Sequence, residues 1–497
     1  MPAMAARLPA ILVRPTTWIA LGVLATVALR LPYIDEALTR DEGGDTYIAQ
    51  AMSDHGRFAY GADFLDRPPL LLALYRVAAI AAGALGIRLL GLVLAVTLVC
   101  LVVVLAVRLA GPRAAPFAAV CATALLCSEA TGVVTTPAEL LAAVPSCLSI
   151  LLLVDEGGAI TERRARLVGA GMAAAAALLI KQSFGDALAA GVVGLGVLLA
   201  TTRTGRGAVF SRIWAYLAGV AITSVGLLTW ALAESRSPHE VWYALFGFRL
   251  HAAAVLAAGQ LSRLERLRLP LLHSGLLVAL PVAFAGILRL RARVEVRALL
   301  ITWLAAGVIG VIAGGSYAPT YLIELMPVAA VGVGIMAAQH VRLGVVAVGI
   351  AATLALIPTL RAALNDSADA YAQDARALGT YVHARALANQ TIDVIYARAN
   401  VLYYARLPSP YPYHWALMMR AVPGAQPELR ALLGSPSRPT WIVEQDPPNA
   451  YGLDQSGRTR ALLARDYRVI ARVCSTPILL ARGAVAGPPP RHPEACR

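Results

Sequence analysis

The residues best suited to chemistry are concentrated in one short stretch. Between positions 33 and 67 the chain collects Asp35, Glu36, Asp41, Glu42, Asp45, Asp54, Asp63 and Asp66, and the centre of the stretch reads RDEGGDTYIAQAM. A carboxylate so placed can take the proton of an attacking hydroxyl while nearby cations stabilise a departing phosphate. Asp41 is the candidate general base. Glu42 is adjacent to it. Acidic runs are also ordinary in solvated loops, and Asp35 and Glu36 read that way.

Candidate partners for a phosphate are Arg88, Lys181 in LLIKQSF, and Arg249 with His251 in FGFRLHA. Lys181 is the only lysine, and a charge beside apolar runs is costly enough to suggest a function. The alternative for these residues is a snorkelling or interfacial side chain. Glu139, in SEATGVVTTPAEL, is a further candidate, as are Tyr317 and Tyr321 in GGSYAPTYLIELMP, which suit either substrate contact or anchoring at a membrane interface. An oxygen-rich acidic loop suits Mg²⁺ or Mn²⁺, so any divalent cation is to be sought at Asp41 and Glu42. No histidine or cysteine spacing argues for zinc. Cys100, Cys121, Cys127 and Cys147 lie in apolar runs and read as small buried hydrophobes.

The elements that must position these groups are mostly membrane helices. Hydrophobic residues make up 58% of the 497 and charged residues only 14%, a balance no ordinary soluble core needs. Runs long enough for a bilayer core occur at about 16–32, 88–107, 114–130, 138–154, 167–181, 185–201, 213–233, 270–288, 298–313, 320–338 and 342–359. The net charge of +14 does not point to nucleic acid, because the arginines cluster in short segments between these runs, where they orient helices.

A twelfth run, 68–86, decides the topology. Arg7, Arg14, Arg108, Arg113, Arg163 to Arg166, Arg203 to Arg212 and Arg289 to Arg297 share one side only if 68–86 does not cross. That segment, opened by Pro68 and Pro69, is therefore expected to lie on the outer face. This gives about eleven transmembrane helices and an outer C-terminus. The loop 234–269 is the exception, since it is placed outside yet holds Arg236, Arg249, Arg263, Arg266 and Arg268; SRLERLRLP within it suits a surface helix near headgroups.

From residue 360 the composition turns soluble. A helix near 366–388, strands at 391–397 and 439–445, a helix near 455–466, and strands in YRVIARV and PILLAR predict an α/β domain over 360–485. Residues 486–497 form a Pro-rich tail expected to be loose, although Cys474 and Cys496 suit a disulfide if this part is extracytoplasmic. Tyr403, Tyr404 and the YPYHW run at 411–415 are aromatic enough to stack on sugar or to pack against the membrane part.

An acidic pair after the first span, a helical TYIAQAMSDHG segment, and then DFLDRPPLLLALYR leading to an arginine at the next span together resemble the GT-C membrane glycosyltransferases, in particular the protein O-mannosyltransferase and aminoarabinose transferase branch. The specific motifs fall within residues 30–90. The resemblance implies a GT-C-like membrane domain over 1–359, with a first outer loop over 33–87, in a bacterial plasma membrane. It implies an inverting glycosyltransferase that takes a sugar from a polyprenyl-phosphate donor and passes it to an envelope acceptor: lipid, polysaccharide or protein. Arg88 then stands where the family has a functional arginine, and the resemblance implies a role for Glu42 without fixing which: to orient the acceptor, to support Asp41 or to help hold a metal. The competing reading is a transporter or flippase for lipid-linked sugars, for which paired repeats and mid-membrane charges are the signature.

Overall fold

A computed structural model describes residues 14–52, 60, 63–235, 237–257, 260–364, 369–396, 398–490 and 494–496 of the chain. Arg7, Asp54, Arg236, residues 366–368 and Ala397, which entered the patterns above, lie outside them. The helices of the apolar part are α1 (Pro15–Arg30), α2 (Arg40–Ala51), α3 (Pro69–Ala110), α4 (Ala115–Leu126), α5 (Ala138–Leu153), α6 (Arg164–Ile180), α7 (Asp186–Thr201) and α8 (Arg206–Glu234). They continue through four short helices, α9 (Pro238–Trp242), α10 (Phe248–Ala257), α11 (Gln260–Glu265) and α12 (Arg268–His273), to α13 (Leu276–Arg289), α14 (Val294–Ala313), α15 (Met326–Gln339) and α16 (Val341–Leu364).

Each of the eleven apolar runs carries a helix. Six described helices are long and apolar enough to cross a membrane, or seven if the bent α9–α12 stretch counts as one, and four more apolar helices are shorter. Leu24, Val93, Val225 and Ile309 are exposed on their flanks, as a lipid-facing surface requires. The chain is a multi-pass membrane protein.

Proline opens α1 and α3, where a missing N–H costs nothing. Inside α3, Ala82 (φ −156°, ψ 26°) and Gly83 (φ 58°, ψ −135°) leave the helical region, so residues 69–81 form a separate limb and the last residues of the 68–86 segment belong to the apolar limb after it. Only glycine adopts the Gly83 backbone without penalty. The limbs meet closely just beyond the break: a Cβ on Gly86 would lie 2.0 Å from the carbonyl oxygen of Ala78.

The arginine clusters meet at one end of the bundle. Arg108 donates to the carbonyls of Leu151 (2.6 Å) and Val154 (3.0 Å), and Arg166 donates to the same two carbonyls at the end of α5 while pairing with Asp155. Arg212 pairs with Glu162, and the Arg293 N–H reaches the Gly158 carbonyl at 3.1 Å.

The C-terminal part contains α17 (Ala370–Arg385), α18 (Asn400–Ala405), α19 (Ala416–Ala421), α20 (Ala425–Leu433) and α21 (Arg458–Asp466) around strands β1 (Ile392–Ile395), β2 (Trp441–Glu444), β3 (Tyr467–Val473) and β4 (Thr476–Ala481). The sheet order is β1-β2-β4-β3, with β1 and β2 parallel and the other neighbours antiparallel. The parallel pair needs a long crossover, and α18, α19 and α20, absent from the sequence reading, supply it. Cys474 and Ser475 both have positive φ (49° and 62°), the backbone that a two-residue hairpin loop demands.

The tail departs from expectation. Cys474 and Cys496 are joined in a disulfide, Glu494 pairs with Arg376 at 2.9 Å, and the Gly487 N–H donates to the Arg385 carbonyl. Among the described residues of the tail, a covalent bond and these polar contacts tie Gly487, Glu494 and Cys496 to the C-terminal part.

Candidate active site

Helix α2 carries the acidic motif. Its first turn is set by Glu42, whose Oε2 accepts from the backbone N–H and the hydroxyl of Thr39, both at 2.8 Å. Glu42 Oε1 accepts from Arg88 Nη1 at 2.9 Å and from the Thr136 N–H at 2.6 Å, and Arg88 also donates to the Ala37 carbonyl at 2.5 Å. Both side chains are almost wholly buried.

Glu42 and Arg88 are thus bound to each other and to neighbouring backbone, tying α2 to α3 and to the start of α5. Asp41 and Glu42, adjacent on the helix, diverge, and Glu42 receives four donors. Among the described residues, the one group with converging metal-type donors is Asp374, Cys474 and Cys496, whose two sulfurs are bonded to each other.

Asp41 has the opposite environment. Its side chain is half-exposed (52%), pairs with Arg40 Nε at 3.2 Å, and accepts from the Trp415 indole N–H at 3.0 Å. Burial opposes its ionisation, but Arg40, Arg67 and the indole outweigh burial and hold the carboxyl down at about 2. Asp45, one turn along the same face, is buried, and burial carries its carboxyl well upward against the pull of Arg67. Asp66 is held below its usual range, because Arg67 and Arg249 overcome the cost of burying it.

Around these carboxylates lies a connected set of cations and hydrogen bonds. Asp66 is shared by Arg67 (3.1 Å) and Arg249 (3.0 Å), Arg249 also reaches Gln182 Oε1 at 3.1 Å, and Gln182 donates to the Asp66 carbonyl at 3.0 Å. Next to Gln182, Lys181 pairs with Glu139, which also accepts from the Thr320 hydroxyl at 2.7 Å. The Lys181 ammonium lies 4.1 Å from the centre of the Tyr321 ring, and the Tyr321 hydroxyl meets Ser316 Oγ at 2.6 Å.

Lys181, Arg249, Glu139 and Tyr321 are therefore brought into the neighbourhood of α2. Tyr317 is buried and receives a hydrogen bond from Gln260 at 2.8 Å, while His251 is exposed and joined to the Tyr243 hydroxyl at 3.2 Å; neither joins the network around Asp66. Asp45, Asp66, Arg67, Gln182 and Trp415 escaped the sequence reading as site residues. Asp45 had a signal, its spacing of four from Asp41 on a helix. Trp415 stood out only as part of the aromatic YPYHW run, and its contact with Asp41 is made by the fold.

The paired glycines of RDEGGD explain how it arrives. A Cβ on Gly43 would lie 2.4 Å from Asn400 Cβ, and one on Gly44 would lie 2.5 Å from Trp415 Cζ2, so α2 accepts the C-terminal unit against its bare backbone. Further bonds join the same surfaces: Tyr404 OH accepts from the Leu38 N–H (2.7 Å), Asn400 donates to the Leu38 carbonyl (3.0 Å), and His414 meets Asp63 (3.1 Å). Tyr404, His414 and Trp415 thus pack against the membrane part.

No protein-family model and no curated protein matches this chain. Among solved structures, ArnT from Cupriavidus metallidurans in the apo state is similar at 15% identity, with 95% of this chain and 99% of that chain covered and a TM-score of 0.65. The same protein bound to undecaprenyl phosphate gives 16% identity, the same coverage and a TM-score of 0.64. The Archaeoglobus fulgidus oligosaccharyltransferase in its apo form gives 14% identity, 86% and 69% coverage and a TM-score of 0.55. These neighbours are GT-C membrane glycosyltransferases. At this identity the likeness concerns architecture: this chain has the GT-C fold.

Proposed function

We propose that this chain transfers a sugar from a polyprenyl-phosphate carrier to an acceptor hydroxyl at the extracytoplasmic membrane face, with inversion at the anomeric carbon. The observation that carries the reading is a half-exposed Asp41 held by Arg40 and the Trp415 indole, in a chain sharing its fold over 95% of its length with a protein solved bound to undecaprenyl phosphate. Asp41 takes the acceptor proton as the acceptor oxygen bonds to the anomeric carbon. The bond from that carbon to phosphate breaks, and its electron pair leaves with the phosphate. Arg67 and Arg249 stabilise the departing charge, with Lys181 and Tyr321 lining the same side. A low carboxyl pKa makes Asp41 a weak base in the free protein; pairing of Arg67 with the donor phosphate would release part of that hold. No step is assigned to a metal, since Asp41 and Glu42 do not converge.

The eleven apolar helices cross the membrane in this reading, the 69–81 limb lies along the outer face, and the C-terminal α/β domain is extracytoplasmic. Support comes from the arginines gathered at the bundle end remote from α2 and from the Cys474–Cys496 disulfide, which suits an oxidising compartment. The test is transfer of radiolabelled sugar from polyprenyl-phosphate donors into envelope fractions. Wild-type transfer that Asp41→Asn abolishes supports the reading. Absence of transfer from every donor tested contradicts it.

A further inference from the structure

The segment 409–415 of the C-terminal unit is stitched to the first outer loop along its length. The Ser409 N–H donates to the Tyr47 hydroxyl (2.8 Å), the Phe64 N–H donates to the Pro412 carbonyl (2.9 Å), His414 meets Asp63 (3.1 Å), and the Trp415 indole N–H donates to Asp41 Oδ1 (3.0 Å). The indole is only partly buried and rests on the bare backbone of Gly44. A tryptophan needed only to fill space would bury its ring and find a backbone acceptor. This one is fixed in position by three other contacts within its segment and turns its single donor on the half-exposed carboxylate that the proposed reaction uses.

We infer that Trp415 is a positioning residue for sugar transfer: by binding Asp41 Oδ1 it fixes the carboxylate plane and leaves Oδ2 to receive the acceptor proton, so that the C-terminal unit completes the reaction centre. This rests on Asp41 being the base. A carboxylate on a free rotor loses orientation, and misplacement by about an ångström costs on the order of a hundredfold in rate. The neighbouring Arg40 is half-exposed, so it binds the same oxygen without fixing the rotor.

The test uses the full-length protein in lipid nanodiscs with radiolabelled polyprenyl-phosphate sugar and an envelope acceptor fraction, comparing Trp415→Phe with Trp415→Ala. Phenylalanine retains a ring over Gly44 and lacks the N–H. A positioning role predicts that kcat falls by about tenfold or more in both variants, from the loss of a hydrogen bond to a charged group, while the donor KM and the unfolding temperature of the Phe variant stay at wild-type values. Wild-type kcat in Trp415→Phe, with loss only in Trp415→Ala, means that the ring merely packs and overturns the inference. Asp41→Asn run in parallel separates the two levels: its full activity overturns the base assignment itself, whereas its loss alongside an unaffected Trp415→Phe overturns only the role of Trp415.

Discussion

At one end of the helix bundle two arginines close on the carbonyls that finish α5; near α2 two others share a single buried carboxylate. Arg108 and Arg166 satisfy the free carbonyls at the end of α5, and Arg166 takes Asp155 as well, a capping arrangement that consumes the charge. Around α2, Arg67 and Arg249 divide the two oxygens of a single Asp66, with 22% and 35% of their side chains exposed, so donors remain for a ligand. Arginine is therefore taken up by helix-end carbonyls in one place and left with spare donors in the other, and the difference lies in what each guanidinium meets.

The same contrast separates Asp41 from Glu42, and substitution at Glu42 has the largest expected effect on folding. Glu42→Ala strands the buried Arg88 charge and removes four acceptor contacts, a loss of roughly 3–5 kcal/mol. Thermal unfolding of the purified protein should show it as a fall of many degrees. A Glu42→Ala protein as stable as wild type would break the distinction between a locking carboxylate and a working one.

Arg249→Gln, at the open end, should lower kcat/KM for the lipid donor by about tenfold or more through loss of a charge-assisted contact, with unfolding little changed. Arg166→Ala, at the closed end, should do the reverse. It forfeits bonds to two carbonyls and Asp155, about 1–3 kcal/mol of stability, while transfer per folded molecule holds. Equal effects of the two variants on donor KM would erase the comparison.

The helices were legible because membrane spans announce themselves by run length, and the side-sharing of the arginines followed from their placement between runs. The break in α3 was foreshadowed by the positive-inside argument, although Gly83 gave it no local signal. The four strands were readable as short β-branched runs, while α18, α19 and α20 were hidden in a crossover whose apolar positions are set by the sheet. Asp41 stood out because it heads an acidic pair shortly after the first span. Its adjacency to Glu42 says little about shared surroundings, since residues one apart on a helix point to different neighbours. Trp415 is 374 positions away from Asp41, and nothing local in either sequence foretells the contact.

Asp393 supplies the smallest expected effect and a counterpart to Asp41. Buried in β1 with no ion-pair partner among the described residues, its carboxyl is carried up to about 7 by burial, where cations hold that of Asp41 down. Between an unfolded value of about 4 and 7, the folded chain keeps a proton that the unfolded chain has lost, so this group makes stability fall as pH rises through that window. Asp393→Asn should flatten that slope, so that its unfolding temperature changes less than that of wild type between pH 5 and pH 8. An unchanged slope would show that the buried carboxyl does not titrate there.

The most direct measurement pairs transfer of labelled sugar from a polyprenyl-phosphate donor with unfolding temperature for Asp41→Asn. Loss of transfer by about a hundredfold or more, the scale of a missing general base, with unfolding within a degree or two of wild type, is the predicted result. Retained transfer, or a loss that merely tracks unfolding, would contradict the placement of the chemistry at Asp41.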